Sequence, residues 1–269
     1  MPAGHPRSMK VGLLFVFSLL IILPCRAEFY LDTNMTERSN ELRQLQEEVI
    51  SCRKCPRLVE YHHAGAQQIP RRFQGWSYWS RPLPSFGDPR GRVLLIGLAP
   101  AAQGGNRTGR MFTGDPSGDW LFEALHRFGF ANQPHSETFD DGLILKDCYI
   151  TATIRCAPPQ NKPLPEETAA CRPYFQQELD LLNRVRVFIP LGQVAFSQLL
   201  KNLRWKGLTL PPLKFGHGQV YPLPEGRTII ASYHPSQRNT FTGKLTREMF
   251  YRVFKQAQQH LNFPVTPEK

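Results

Sequence analysis

The hydrophobic positions along the chain fall into two rhythms. Over residues 36–52, Leu42, Leu45, Val49 and Ile50 recur at helical spacing with Glu and Arg between them, which predicts an amphipathic helix. Further on, four short apolar runs, rich in β-branched residues, occupy 92–98, 148–154, 185–191 and 228–233. Runs without polar alternation suit strands buried on both faces, as in a parallel sheet. Helical patterns separate them at 120–130, 165–182 and 192–200, and another closes the chain at 244–261. This alternation predicts an α/β fold: a three-layer α/β/α arrangement around a central four-stranded parallel sheet, with ligands bound at the carboxyl ends of the strands. Residues 56–91 carry Arg71, Arg72, Trp76, Tyr78, Trp79, Pro82, Pro84 and Pro89 without either period, and read as a long irregular segment.

Composition narrows the class. With 269 residues, 41% hydrophobic and 20% charged, the chain is globular in character, which excludes disordered, collagen-like and coiled-coil classes. Its length suits one domain, or one domain with an appendage. The 33 Lys and Arg against 22 Asp and Glu leave +11, which points to a polyanionic partner such as nucleic acid, or to an anionic membrane surface. Six cysteines are too few for a disulfide scaffold of this size, so their spacing matters more than their number.

Residues 1–34 admit two readings. Arg7 and Lys10 precede an apolar run, 11–23, that has the length of a signal-peptide core and is short for a bilayer span. The following Leu23-Pro24-Cys25-Arg26-Ala27-Glu28 puts proline and arginine where a signal peptidase prefers small residues, and proline before Cys25 spoils a lipoprotein box. The favoured alternative is an over-extended start, with translation opening at Met35 and residues 35–269 forming the domain. Without the first 34 residues, 30 basic and 20 acidic residues leave +10, so the basic balance belongs to the body. Taken literally, a leader would make Asn34-Met-Thr and Asn106-Arg-Thr glycosylation sequons of an exported protein.

Chemistry concentrates after the first predicted strand. Six glycines lie between Gly97 and Gly118, enough for a loop that approaches a ligand with its backbone and feeds a helix N-terminus. The segment is neither a Walker loop nor a GxGxxG fingerprint. Cys52 and Cys55 form a CxxC, and Cys156 and Cys171 bracket a later loop; by spacing alone, structural zinc and an iron–sulfur cluster are equally served. Cys148, inside a strand pattern, reads as a buried hydrophobe. His234 follows the fourth strand, where a side chain faces the ligand crevice. Proline-flanked Asn161 reads on composition as a turn residue, and Asp119 as a helix N-cap.

Two motifs carry a resemblance. Gly97-Leu98-Ala99-Pro100-Ala101-Ala102, then Gly105-Asn106-Arg107-Thr108-Gly109-Arg110, Phe112-Thr113-Gly114-Asp115 and Ser117-Gly118-Asp119-Trp120, closely resemble the first motif of the type-5 uracil-DNA glycosylases. Tyr233-His234-Pro235-Ser236-Gln237-Arg238-Asn239 is similar to the superfamily's second motif, His-Pro-Ser-x-x-Asn. The resemblance implies hydrolysis of the N-glycosidic bond of uracil in DNA, and of other deaminated bases such as hypoxanthine, leaving an abasic site for base excision repair. It implies catalytic roles for Asp115 and His234. Asp115 would handle water or the sugar cation, because Leu98 and Ala99 stand where much of the wider superfamily has a polar residue.

The same resemblance places Phe112, Asn161, Asn239, Gly97 and Ala99 around the base. Arg107, Arg110, Arg238 and Lys244 are expected on phosphates; Gly216-His217-Gly218 reads either as another loop at the DNA surface or, for His217, as a simple turn. The resemblance further implies a [4Fe–4S] cluster on Cys52, Cys55, Cys156 and Cys171, with zinc as the alternative. With no lysine marked out for a Schiff base, a monofunctional enzyme is expected. It would be a monomer on DNA, without a membrane role, in the cytoplasm and associated with the nucleoid. The competing reading is a non-catalytic iron–sulfur DNA-binding module on the same fold.

Overall fold

The structure, a computed structural model, describes residue 1 and residues 37–67 and 69–262. The expectations for the N-terminal extension, the start at Met35 and the Asn34 sequon lie outside the described residues. In chain order the elements are α1 (Glu37–Ser51), α2 (Pro56–Gln67), β1 (Phe86–Gly87), β2 (Val93–Gly97), α3 (Gly105–Thr108) and α4 (Pro116–Arg127). They continue as β3 (Cys148–Ala152), α5 (Pro165–Leu181), β4 (Val187–Pro190), α6 (Gln193–Trp205), β5 (Val220–Leu223), β6 (Arg227–Ile230), α7 (Gln237–Phe241) and α8 (Arg247–Asn262).

The sheet is mixed and six-stranded, in the order β1-β3-β2-β4-β6-β5, so the four strands expected are flanked by two that were not. β2 pairs in parallel with β3 and β4, and β4 with β6; β1 and β5 are antiparallel edges. Both additions carry little signal. β1 has two residues, and β5 contains Pro222, whose missing N–H is tolerated at an edge.

A second difference is α2, which occupies part of the segment expected to be irregular. Pro56 stands at its first position, where a missing N–H costs nothing. Only Leu58 and His62 of its described side chains are buried, too few to set a visible period.

Alternation along each strand splits the core in two. Leu94 and Ile96 point to one face and pack with Leu42, Leu45 and Val49 of α1, Phe175 of α5 and Phe196 and Leu199 of α6. Val93 and Leu95 point to the other, against Phe122 and Leu125 of α4 and Phe250, Val253 and Phe254 of α8. Cys148 is fully buried in this second cluster, as a small hydrophobe. Helices thus cover both faces. The neighbours of central β2 are reached by connections running to opposite sides, which makes the carboxyl end of β2 a switch point where a crevice forms.

One polar network crosses the first core layer. The fully buried pair Arg155–Glu178 is joined by Gln46, Ser85 and Thr151: Gln46 Nε2 donates to Glu178 Oε1 (2.8 Å), Thr151 Oγ1 donates to Glu178 Oε2 (2.6 Å), and Arg155 donates to Ser85 Oγ. Among the described residues no helix is long and apolar enough to cross a membrane.

Candidate active site

At the carboxyl end of the sheet lies a cavity of about 470 Å³ whose lining includes Ala99, Phe112, Asp115, Asn161, His234 and Arg238. The first-motif loop after β2, the loop after β3 and the segment after β6 therefore meet in one place. Ser117, Ser236 and Gln237 also line it; all three stand inside the two motifs, where sequence reasoning gave them no role.

Phe112 is held by glycines. Its backbone adopts φ +57°, a conformation L-residues rarely take and one that marks strain at functional sites. A Cβ on Gly118 would stand 1.7 Å from the Phe112 carbonyl oxygen, and one on Gly97 would stand 3.0 Å from its ring. Gly97 is thus a floor under Phe112 and lies outside the cavity lining. The ring stacks on His234 with centroids 5.9 Å apart and planes 29° from parallel. Gly118→Ala is expected to push Phe112 out of this position and lower base-release activity by at least tenfold, in line with the sensitivity of catalysis to displacements of about 1 Å; single-turnover kinetics checks it.

Asp115, not Asp119, is the N-cap of α4. Its Oδ1 accepts from the backbone N–H of Ser117 (2.8 Å) and of Gly118 (3.2 Å), and Pro116 takes the first helical position. Its other oxygen faces Gly104, where a Cβ would stand 2.2 Å away. Burial raises the Asp115 carboxyl, and the two backbone bonds partly oppose the shift. The result is a desolvated carboxylate fixed at a helix N-terminus, which favours an anion.

Enclosure lowers the His234 imidazole to about 4, so it is neutral at physiological pH and presents one N–H. Asn239 does not line the cavity: its Nδ2 donates to the His234 carbonyl (2.8 Å), which fixes the loop carrying the imidazole. Asn161 is exposed at the cavity mouth, with φ +56° next to Gln160 at +55°. Two consecutive left-handed residues aim a side chain that an ordinary turn would point elsewhere.

Several expected phosphate contacts are internal. Arg107 is 4% exposed: Nε donates to the Gln103 carbonyl (2.9 Å), Nη2 to the Gly114 carbonyl (2.9 Å), and the guanidinium lies over Phe73 and Trp76 at 4.1 and 4.2 Å. Arg110 is 6% exposed and pairs with Asp141 (2.7 Å). Both brace the glycine-rich loop, because partners some thirty residues away along the chain neutralise or cover their charge. Lys244 lies over the Tyr233 ring at 4.9 Å. His217 accepts from the Tyr233 backbone N–H at Nδ1 and bonds the Met249 carbonyl through Nε2, so it serves the interior of its loop. Arg238 alone of the expected arginines is exposed at the site. Asn106 is 1% exposed, so the sequon at that position offers no accessible amide.

The four cysteines converge elsewhere. Cys52, Cys55, Cys156 and Cys171 line one enclosed space together with Lys54, Arg155 and Tyr174. The backbone N–H of Arg155 donates to Cys171 Sγ (3.4 Å). Arg57, two residues past the CxxC, grips Glu167 of α5 through Nε and Nη2, both at 2.7 Å, which ties the N-terminal segment to the loop between Cys156 and Cys171. Among the described residues no three His, Cys, Asp or Glu side chains close around a single ion. Four thiols lining one enclosed space are a donor set that a [4Fe–4S] cluster or a Cys₄ zinc can use.

Comparison with known proteins agrees with this geometry. The family profile of the uracil DNA glycosylase superfamily matches residues 84–258. A type-5 uracil-DNA glycosylase of Thermus thermophilus is 50% identical over 209 residues, covering 78% of this chain and 93% of its own. Those of Pyrobaculum aerophilum and Mycobacterium leprae are 44% and 42% identical, covering 78% and 82% of this chain and 88% and 96% of their own. With the two motifs seated on the strand ends and the match running through most of the chain, the protein belongs to the type-5 uracil-DNA glycosylases of the uracil-DNA glycosylase superfamily.

Proposed function

We propose that the cavity holds a uracil flipped out of DNA while its glycosidic bond is hydrolysed. The chain is a uracil-DNA glycosylase of base excision repair, a hydrolase acting on an N-glycosyl bond. The observation that carries the site assignment is the meeting of a stacking ring, an amide, a neutral imidazole and a desolvated carboxylate in one cavity at the switch point of the sheet.

In this reading Phe112 stacks on the extruded base and Asn161 donates and accepts on its Watson–Crick edge. As the C1′–N1 bond breaks, its electron pair moves onto the base, and the neutral His234 N–H donates to O2, where charge builds. Such a donor is worth about 2.7–4 kcal/mol in the transition state. Asp115 faces the sugar cation and orients the water that adds to C1′; the water's proton is lost and the departing uracil gains one. Extrusion is least costly at mismatched bases, so U·G pairs are favoured substrates. Hypoxanthine is a further substrate, and the enzyme acts as a monomer within the nucleoid-containing compartment.

The test is base release from oligonucleotides carrying uracil, hypoxanthine or ethenocytosine, followed across pH. Asp115 must be ionised and His234 neutral. Burial moves the carboxyl above its ordinary 3.8 and the imidazole down to about 4. The rate therefore falls on the acid side as Asp115 takes up a proton, and His234 contributes no inflection near 6.5, where an ordinary histidine titrates. An inflection at 6.5 that His234→Ala removes contradicts the enclosed imidazole.

We also propose that the four thiols hold a [4Fe–4S] cluster that pins the segment after α1 to the loop after β3. When bound, the cluster serves as a structural tie. Protein purified without oxygen is expected to contain about four irons per chain, measured by metal analysis; one zinc per chain with no iron contradicts the assignment.

A further inference from the structure

Leu98 and Asn161 also line a second cavity, of about 670 Å³, whose other walls come from the loop before α5, from α5 and from α6. On α6 the lining residues Val194, Gln198, Lys201 and Trp205 recur at three- and four-residue steps, so one face of the helix forms the wall. Four cations line the groove, Lys162, Arg172, Lys201 and Arg204, with no Asp or Glu among its lining. Trp205 is 50% exposed, and the Arg172 guanidinium lies 3.7 Å from its ring centroid. Val194 is 49% exposed on the same face. Arg172 covers one face of the Trp205 ring; the half of the ring left in water and Val194, with four cations and no anion around them, match a strand that offers phosphates and unpaired base faces.

We infer that this groove holds an unpaired stretch of the uracil-bearing DNA strand, a base lying against Trp205 and phosphates on Lys162, Lys201 and Arg204. The two cavities share Leu98 and Asn161, so a strand whose uracil enters the first has the second within reach. A fully paired duplex keeps its base faces stacked internally and cannot use the ring. The inference rests on the uracil-DNA glycosylase reading, and uracil-free DNA separates its failure from a failure of that reading, which shows as absent base release by the wild type.

The experiment measures Kd by fluorescence anisotropy for the full chain, Trp205→Ala and the double variant Lys201→Ala/Arg204→Ala. The probes are a uracil-free single-stranded 20-mer and its blunt duplex, over a range of salt, with thermal unfolding to establish that each variant folds. Trp205→Ala is expected to bind the single strand about tenfold more weakly, with a smaller effect on the duplex. The double variant is expected to lower the slope of log Kd against log salt by about 1.4, two single-strand phosphate contacts at roughly 0.7 each. Folded variants with wild-type Kd and slope overturn the groove. Equal weakening for strand and duplex overturns the assignment to an unpaired strand.

Discussion

Asp115→Asn is expected to lower single-turnover uracil release by about 10²–10³-fold while leaving thermal stability at the wild-type level. The separation follows from the two jobs of this side chain. As the cap of α4 it needs one oxygen that accepts from the backbone N–H of Ser117 and Gly118, and an amide oxygen does this as well as a carboxylate. As the partner proposed for a positively charged sugar and a water it needs the negative charge, which the amide lacks. Asp115→Ala removes both, so it adds a loss of about 1 kcal/mol of stability, read as a fall of roughly 2–4 °C in Tm. Wild-type excision by the folded Asp115→Asn protein would reduce Asp115 to a cap.

The largest stability effect belongs to Glu178→Ala. Arg155 and Glu178 are both fully buried, and removing the carboxylate leaves a guanidinium in the core with Ser85 as its remaining side-chain partner. Losing one member of such a pair costs about 3–5 kcal/mol, because the other charge stays desolvated. Thr151 and Gln46 lose their acceptor in the same step. Urea unfolding of the full chain measures the loss, and a change under about 1 kcal/mol contradicts the account. Arg155→Met/Glu178→Leu, which removes both charges, is expected to recover much of the stability. Because Arg155 precedes Cys156 and its N–H bonds Cys171 Sγ, the single variant is also expected to weaken the metal site proposed there.

Much of the layout was legible in the chain. Strands buried on both faces leave uninterrupted apolar runs, which is why 92–98, 148–154 and 185–191 each contain a strand of the sheet and 228–233 overlaps one. The edges were not legible: two residues of β1 and a proline-bearing β5 carry too little pattern. α2 hid for a related reason, since few of its side chains enter the core.

At the site, Phe112, Asp115 and His234 of the two motifs do meet Asn161, yet the roles of their neighbours depended on burial. Arg107 and Arg110 look like phosphate ligands until Phe73, Trp76 and Asp141 are seen to claim them. Asp119 looks as good a cap as Asp115, although Pro116 suits the first helical position and so points to Asp115. Asn239 reads as a base contact until its amide is found on the His234 carbonyl.

The central claim is that the Phe112–Asp115–Asn161–His234 cavity excises uracil. It is tested most directly by incubating the full chain with a U·G duplex in excess protein and analysing both products by mass spectrometry. The account predicts free uracil and an otherwise intact strand bearing an alkali-labile abasic site, with release lost in Asp115→Asn. Protein that is folded and binds the duplex yet releases no uracil would contradict it.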